Sequence, residues 1–237
     1  MTRILVIVHE PSCSSGRLGH FWRGAGAEVI EVNAWTQPVP PVAQADALVV
    51  LGGSMGCHDD AEAPWLAPTR RLIARTVKTG TPFLGFCLGH QLATVALGGR
   101  VCTCDHLCLG PAEMHLTPDG EQDPLLSVYQ GHRGIHFNND VAVVVPEGAV
   151  LLASDPSGQV EAVSFAERAW GVQFHPECTP DIFDGWTIGH TEEGWNQRLP
   201  WADAVSAAEA VRYDVDVATV GTAFAARFLE LVDPEKR

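Results

Sequence analysis

The chain has 237 residues, of which 46% are hydrophobic and 19% are charged, and its formal net charge at pH 7 is −14. This length and apolar content suit one large core, so we expect a single domain over residues 1–237, with its core over about 3–180 and a C-terminal loop and helix over about 181–237. The acidic charge argues against nucleic acids and anionic membranes as partners, because both require a basic surface.

The sequence also limits where the protein is expected to work. No apolar run approaches the length that spans a membrane, and residues 1–8 read as the start of a strand, not as a signal-peptide core. Seven cysteines, an odd number, fit reduced thiols better than a disulfide framework. We therefore expect a cytoplasmic protein.

The first third of the chain predicts alternating strands and helices. A continuous apolar run is typical of a strand buried on both faces, and apolar residues at helical spacing follow it. The alternation implies a mostly parallel sheet with helices on both faces. The predicted strands are Ile4 to Val8, Glu28 to Asn33, Ala47 to Leu51 and Phe83 to Phe86; the predicted helices carry Leu18, Phe21, Trp22 and Ala25, and, with Pro64 in the first turn, Trp65, Leu66, Thr69, Ile73 and Val77.

From Arg100 the pattern changes to short runs of strand character, which predict an antiparallel addition to the sheet. A loop over Phe183 to Trp201 and a final helix then close the chain. The predicted runs are Arg100 to Cys104, Glu113 to Thr117, Gly134 to Phe137, Val141 to Val145, Val150 to Ala153 and Val160 to Phe165. A separate strand-like run, Trp170 to Phe174, follows them. The final helix is expected to bury a stripe of Val217, Gly221, Phe224, Ala225, Phe228 and Val232.

One segment predicts a reactive thiol. Cys87 lies in Gly85-Phe86-Cys87-Leu88-Gly89, between an apolar run and a helical pattern. A G-x-nucleophile-x-G sequence places its nucleophile on a sharp strand-to-helix turn, where the helix N-terminus favours an anion. A thiol there tends toward thiolate, whereas the same cysteine taken alone would fit a small buried packing residue equally well.

A candidate base and its orienting acid follow much later in the chain. The strand-like run Trp170 to Phe174 leads into His175-Pro176-Glu177. Positions two apart on a strand share a face, so Glu177 can orient His175. Taken alone, His175 would be interpreted as a buried core histidine and Glu177 as a surface charge at the end of a strand. With Cys87 they form a triad of the Cys-His-acid type.

These motifs resemble those of the class I glutamine amidotransferases, whose elbow reads G-x-C-x-G-H-Q and whose base strand reads Q-F-H-P-E. The matching segments are Gly85 to Gln91 and Gln173 to Glu177, and Leu48 to Gly56 is similar to the strand and glycine loop of the family. The chain looks most like stand-alone members similar to GMP synthase. The resemblance runs from about Arg3 to Glu177.

The resemblance implies a fold and a set of roles. The fold is a three-layer α/β sandwich of the flavodoxin-like kind, with a mostly parallel central sheet, helices on both faces and a small antiparallel addition. No cofactor is expected. The implied catalytic residues are Cys87, His175 and Glu177, the oxyanion donors are the N–H groups of Gly53 and Leu88, and the residues that hold the amino-acid end of the substrate are Gln91, Phe137 and Asn138.

The implied reaction cleaves the γ-carboxamide of glutamine through a cysteine thioester and gives glutamate and ammonia. The ammonia would go to a separate synthase protein, because the sequence has no Ser-Gly-Gly-x-Asp-Ser loop of a GMP synthetase half. Asn138 stands where relatives carry histidine, so a γ-glutamyl peptide or conjugate hydrolase with the same triad stays open. A non-enzymatic binding or regulatory module also stays open, and a homodimer is compatible with the sequence.

Two other motifs have weaker interpretations. The segment Cys102 to Cys108 contains residue types that bind zinc, but it lacks a second Cys-x-x-Cys pair, so we expect no metal site. The segment Gly52 to Gly56 lacks the G-K-[ST] ending of a phosphate-binding loop, so ATP binding has no support.

Overall fold

The computed structural model describes residues 1–193 and 209–233, without the side chains of 105–106 and 187–193. Ten strands make up its sheets. They are β1 (Arg3–Val8), β2 (Glu28–Asn33), β3 (Ala47–Val50), β4 (Phe83–Phe86), β5 (Arg100–Glu113), β6 (His115–Leu116), β7 (Arg133–Val144), β8 (Val150–Ser154), β9 (Val160–Ala166) and β10 (Ala169–Val172). Eight strands form one sheet in the order β2-β1-β3-β4-β10-β9-β8-β6, and β5 pairs with β7.

The helices cover both faces of the large sheet, as expected for strands that alternate with helices. A 3₁₀ turn over Leu126–Tyr129 precedes β7. The helices are α1 (Gly16–Gly24), α2 (Leu66–Lys78), α3 (Leu88–Ala96), α4 (Pro118–Gln122), α5 (Pro180–Glu193) and α6 (Asp214–Val232). Among the described residues, no helix is both long and apolar enough to cross a membrane.

The alternation of side chains along β1 divides the core into two layers. Ile4, Val6 and Val8 face the cluster that also contains residues of α1 and α6. Leu5 and Ile7 point the other way, into the cluster built with α2 and α3. Because successive residues of a strand face opposite sides, a run that is apolar at every position must be covered on both. The predicted three-layer arrangement is confirmed.

The predicted stripe on the last helix is buried as expected, so α6 packs into the core along one face. A hydrogen bond fixes it against α1, since the Trp22 indole N–H donates to the carbonyl of Ala225 at 3.0 Å. The ring of Phe228 lies 5.7 Å from that of Trp22. Helix α2 begins at Leu66, so the prediction that Pro64 lies in its first turn is wrong by two residues.

The antiparallel part differs from the prediction. Strands β9, β8 and β6 continue the main sheet beyond β10, all with antiparallel pairing. The runs predicted over Gly134 to Phe137 and Val141 to Val145 belong to one strand, β7, which pairs with the single long strand β5. The register shifts at the polar residues, between the pairs Thr103–Asp140 and Cys108–Asn138, and the two strands pair on both sides of this irregularity.

The loop predicted over Phe183 to Trp201 is also corrected. Residues 180–193 form α5, and the remainder of the predicted loop lies outside the described residues. Phe183 and Trp186 lie on the buried face of this helix, packed with Ile135 and Val217. The aromatic residues between the charges therefore lie on the buried side of a helix. Their spacing in the sequence did not distinguish this helix from a loop.

Candidate active site

Cys87 occupies the strained turn that its flanking glycines predicted. Its backbone has φ 47° and ψ −106°, and it is the one non-glycine residue with a positive φ in the described ranges. The turn joins β4 to α3, whose first residue is Leu88. Strained backbone of this kind persists only where the surroundings enforce it.

The surroundings of the turn leave no space for side chains at the two glycines. A Cβ on Gly85 would lie 2.7 Å from the carbonyl group of Gly89, and a Cβ on Gly89 would lie 2.1 Å from the carbonyl oxygen of Val50. Both neighbours are backbone atoms of the core, so neither can move easily. The glycines therefore allow α3 to begin directly against the sheet, with Cys87 raised at its edge.

Hydrogen bonds bring the strand that carries the base next to this turn. The Cys87 N–H donates to the Val172 carbonyl at 2.8 Å, which ties the elbow to the end of β10. Three residues later, the His175 N–H donates to the Ile135 carbonyl at 2.8 Å, which places His175 between β10 and β7. Residues that are 88 positions apart in the chain are thus held at one sheet edge.

The imidazole of His175 is oriented by Glu177. Its Nδ1 lies 2.7 Å from Glu177 Oε1, and both side chains are buried. The Glu177 carbonyl in turn accepts a hydrogen bond from the Arg17 N–H at 3.0 Å, so the N-terminus of α1 fixes the position of the acid. The other ring nitrogen, Nε2, has no hydrogen-bond partner in the described part of the chain and is the atom available for proton transfer.

Gly52 lies between the thiol and the imidazole. A Cβ at this position would lie 2.9 Å from Cε1 of His175 and 3.5 Å from Cβ of Cys87. The two side chains therefore converge on one small volume above the end of β3. The sequence interpretation assigned Gly52 to a glycine loop without recognising that the space beside it is occupied by the imidazole.

The electrostatics of this group favour a charged imidazole. Burial lowers the pKa of His175, but the charges of Glu177 and Cys87 and the hydrogen bond to Glu177 raise it, to about 10. His175 therefore carries a proton at neutral pH. An imidazolium beside a cysteine is the arrangement that stabilises a thiolate and supplies a proton to a leaving group.

The two residues expected as oxyanion donors lie close together. Gly53 follows β3, and a Cβ built on it would lie 3.0 Å from Cδ2 of Leu88, at the start of α3. The N–H of Leu88 belongs to the first turn of a helix, where backbone donors are not used within the helix. Their assignment as donors stays a prediction.

A pocket of about 320 Å³ opens above these groups. Its lining includes the predicted substrate residues Gln91, Phe137 and Asn138 as well as the thiol and the imidazole. The residues that line it are Glu10, Cys13, Gly53, Ser54, Met55, Gly56, Asp59, Cys87, Gln91, Thr103, Phe137, Asn138, Asn139, Asp140, His175 and Trp186.

The predicted substrate residues differ in how free they are to bind a ligand. The amide nitrogen of Gln91 donates to the carbonyl of Asp140 at 2.9 Å, which attaches α3 to β7. The amide nitrogen of Asn138 donates to the same carbonyl at 3.2 Å, but its Oδ1 has no partner among the described residues. Asn138 therefore keeps an acceptor for a ligand. The binding role of all three residues stays a prediction.

Sequence reasoning missed the part of the pocket formed by Glu10 and Trp186. The Glu10 carboxylate accepts from the Ser54 hydroxyl at 2.7 Å and the Cys13 thiol at 3.2 Å. The ring of Trp186 lies 4.5 Å from that of His175, and its indole N–H donates to the carbonyl of Ser12. The available signal for Glu10 was its position, two residues after the end of the buried strand β1. Nothing local marked Trp186.

The cysteine-rich segment contributes no metal ligands that the structure describes. Within the described ranges, no group of three or more His, Cys, Asp or Glu side chains could hold a metal ion. The side chains of Asp105 and His106 lie outside the described set. All seven cysteines are unbridged, and Cys102 and Cys108 are both on β5.

Comparison with known proteins defines the family. The sequence profile described as glutamine amidotransferase class-I matches residues 22–187, which is most of the chain. The chain belongs to the class I glutamine amidotransferases. A glutamine-hydrolyzing GMP synthase subunit from Halobacterium salinarum is 30% identical over 200 residues, covering 82% of this chain and 93% of the relative.

Two further proteins are similar to this chain: a longer enzyme that it matches over a fifth of its length, and a protein of known structure with the same fold. A GMP synthase (glutamine-hydrolyzing) of Marinobacter nauticus is 38% identical over 115 residues, but these cover 42% of this chain and only 20% of the relative. The crystal structure of a glutamine amidotransferase from Thermotoga maritima has a TM-score of 0.81 at 20% identity and covers 98% of both chains. The predicted family, enzyme class and fold are therefore confirmed.

Proposed function

We propose that this protein hydrolyses the γ-carboxamide of glutamine, or of a γ-glutamyl compound, through a thioester on Cys87. The observation that carries the proposal is the convergence of the Cys87 thiol with the open Nε2 side of His175, while Glu177 holds Nδ1 at 2.7 Å. These are the nucleophile, the proton carrier and the orienting acid that an amide-cleaving cysteine enzyme needs.

The first half of the reaction forms the thioester. The Cys87 sulfur attacks the carbonyl carbon of the γ-carboxamide, and the N–H groups of Gly53 and Leu88 are assigned to stabilise the negative oxygen. The carbon–nitrogen bond then breaks, and His175 gives its Nε2 proton to the departing amine. For glutamine, the product released at this stage is ammonia.

The second half uses water. His175, now neutral, takes a proton from a water molecule that attacks the thioester carbon, and the carbon–sulfur bond breaks. Glutamate leaves, and Cys87 and His175 return to their starting states. Glu177 keeps the imidazole in the same orientation through both halves, so that the same nitrogen gives and then receives the proton.

The ammonia is proposed to pass to a separate synthase protein. The support is the similarity to relatives that are themselves named as one subunit of a GMP synthase, which the chain covers over most of their length. In that case we expect slow glutamine hydrolysis by the isolated chain. A turn near Gly52 and Gly53 can change its peptide orientation at low cost, since glycine tolerates both signs of φ.

Chemical labelling combined with kinetics tests the proposal. We expect 6-diazo-5-oxonorleucine, an electrophilic analogue of glutamine, to modify Cys87 before any other cysteine, and Cys87→Ala to lose turnover of glutamine and γ-glutamyl dipeptides. Cys57→Ala is the matched control, because Cys57 is buried outside the pocket. Peptide mapping that finds another cysteine labelled first, with Cys87 intact, would reject the nucleophile.

A further inference from the structure

We propose that the pocket is built for a γ-glutamylamide whose leaving amine carries a second, positively charged ammonium group, and that Glu10 binds this ammonium. The inference rests on the proposed function and specifies its substrate class. It follows from the charges that line the pocket, from where they lie relative to His175, and from an unused acceptor and aromatic rings in the same wall.

The pocket is negatively charged. Among the described residues that line it, Glu10, Asp59 and Asp140 are carboxylates, and none is lysine or arginine. Their hydrogen-bond partners are neutral: Asp59 accepts from the Gly56 N–H at 2.7 Å, and Asp140 accepts from the Thr103 hydroxyl at 2.6 Å. No ion pair in the described part of the chain involves these three carboxylates.

Arg70, a cation close to the pocket residues Gly56 and Asp59 in the chain, already has a partner. One guanidinium nitrogen of Arg70 lies 2.7 and 2.8 Å from the two carboxylate oxygens of Asp60, and another donates to the carbonyl of Cys57 at 2.6 Å. A guanidinium that is hydrogen-bonded to a carboxylate in this way is largely neutralised. The charge of the pocket carboxylates is therefore left for a ligand to compensate.

The carboxylates lie at two ends of the pocket. Asp140 belongs to the end where Gln91 and Asn138 bind its carbonyl, which is the end assigned to the amino-acid part of the substrate. Glu10 belongs to the other end, because the turn Ser12-Cys13 connects it to the tryptophan that packs on His175. His175 must reach the departing nitrogen, so the leaving group extends toward Trp186 and Glu10.

The walls between these ends are suited to a cation. Asn138, on the side of Asp140, is 6% exposed, and its buried Oδ1 accepts no hydrogen bond from the described residues. The rings of Phe137 and Trp186 are 5.8 Å apart and both line the pocket. Aromatic faces beside carboxylates are favourable surroundings for an ammonium group.

Charge balance separates the candidate substrates. Glutamine brings one ammonium and one carboxylate, which cancel, so it does not compensate the three pocket carboxylates. The charge of the protonated His175 is already matched by Glu177 at 2.7 Å. A γ-glutamyl conjugate of a diamine adds one positive charge, whereas a conjugate of an amino acid adds a negative one. The bond changes are those of the hydrolysis above: the amide bond breaks, His175 protonates the amine nitrogen, and the diamine leaves with its distal ammonium unchanged.

Three probes of matched length test the inference on the full-length protein. They are the γ-glutamyl amides of 1,4-diaminobutane, n-pentylamine and 4-aminobutyrate, which end in a positive, a neutral and a negative group. At low ionic strength we expect kcat/KM for the diamine amide to exceed that for the pentylamide by about tenfold or more, and the 4-aminobutyrate amide to be the poorest. Added salt should reduce the difference.

Variants then test whether Glu10 causes the preference for the diamine amide. Glu10→Gln is expected to bring the diamine amide and the pentylamide to within about threefold of each other, a loss comparable to that of one charge-assisted hydrogen bond. Glu147→Gln, an exposed carboxylate outside the pocket, is the control and should keep the wild-type ratio. A pentylamide that is cleaved as well as the diamine amide by wild type would overturn the inference, as would a preference that survives in Glu10→Gln.

Binding to Cys87→Ala separates this inference from the proposed function. Calorimetry with the three probes should give the tightest dissociation constant for the diamine amide. If wild type cleaves none of the probes but Cys87→Ala keeps the charge preference, the hydrolase proposal fails and the cation-selective pocket stands. If wild type cleaves all three equally and binding shows no preference, the hydrolase proposal stands and the inference fails.

Discussion

The described part of the chain contains two buried His–Glu pairs with the same contact distance and different surroundings. His175 and Glu177 meet at 2.7 Å, and so do His136 and Glu161. In the first pair, Nε2 of His175 and Oε2 of Glu177 have no partner among the described residues. In the second, Nδ1 of His136 lies 3.1 Å from the Gly134 carbonyl, so both ring nitrogens are occupied.

The difference shows what makes such a pair suitable for proton transfer. A carboxylate can orient an imidazole anywhere in a core, but only an unoccupied nitrogen that faces a nucleophile can move a proton. The pair of His136 and Glu161 joins β7 to β9 behind the pocket, next to the strand segment that carries Asn138. We interpret it as structural, and the following experiments test the distinction.

The largest expected effect is on catalysis by Glu177→Gln. An amide can donate to Nδ1 of His175 and thereby select the tautomer with a proton on Nε2, which cannot serve as the base. We expect kcat to fall by a factor on the order of 10³ to 10⁴, with the fold retained. Steady-state hydrolysis of the best γ-glutamyl substrate, with circular dichroism as the check on folding, measures it. Unchanged kinetics would remove Glu177 from the mechanism.

A third buried histidine sharpens the comparison, because it has no acidic partner. His90 packs 5.8 Å from the ring of Phe165, neither ring nitrogen has a partner in the described part of the chain, and burial lowers its pKa to about 4. A depressed histidine pKa stabilises the fold above pH 6.5, and the contribution is lost as the pH falls through about 4. The shift corresponds to about 3 kcal/mol.

Urea unfolding of wild type and His90→Leu at pH 7 and pH 4.5 tests this contribution. The variant should lose less stability on acidification than wild type does. Burial also lowers the pKa of His9, to about 3, so His9 causes a similar loss of stability in acid. Both proteins contain His9, so its contribution cancels in the comparison. His20→Leu, at an exposed position on α1, is the control and should follow wild type. Parallel losses in His90→Leu and wild type would contradict the assignment.

Glu161→Gln is expected to affect stability but not turnover. The variant replaces a hydrogen bond to a buried carboxylate with a neutral one, so the free energy of unfolding should fall by about 1–2 kcal/mol. Because His136 does not face Cys87, kcat should stay within about twofold of wild type at a temperature well below the melting midpoint. A loss of kcat as large as that of Glu177→Gln would show that both pairs take part in the reaction.

The smallest effect is a displacement of the pH profile. With a pKa of about 10, His175 keeps its proton up to high pH, and kcat/KM should decline only as the pH rises through that value. The stability that its protonated form contributes is fully present below pH 6.5 and is lost in the same alkaline range. In Glu177→Gln the alkaline limb of the profile should move to lower pH, because the negative charge that raises the pKa of His175 is gone. An alkaline limb that stays in place would show that another group causes it.

The arrangement of Cys87, His175 and Glu177 could be predicted because its determinants are local, while their catalytic roles stay a proposal. Two glycines that must approach backbone atoms reveal the turn at Cys87, and the spacing of His175 and Glu177 reveals a shared face. The parallel strands were predictable for a similar reason, since their apolar runs record burial on both faces.

The pocket wall was not predictable from the same kind of signal. Glu10, Ser12 and Trp186 meet only because α5 packs across the end of β1, and that contact spans more than 170 positions of the chain. Likewise, the sequence predicts separate short strands where β5 and β7 form one ladder, because Asn138 to Asp140 have low strand propensity, and the ladder is in fact irregular at these residues.

The hydrogen bond between Cys87 N–H and the Val172 carbonyl also affects where this chain can accept insertions. Cys87 directly follows β4 and His175 lies three residues after β10, and these two strands pair with each other, so their ladder sets the separation of thiol and imidazole. The segment from Leu88 to Arg168 connects β4 to β10 and lies between the two strands in the sequence. Three glycines in this segment have positive φ and open space around them: Gly131, Gly148 and Gly158. We expect these sites to accept inserted residues without separating Cys87 from His175.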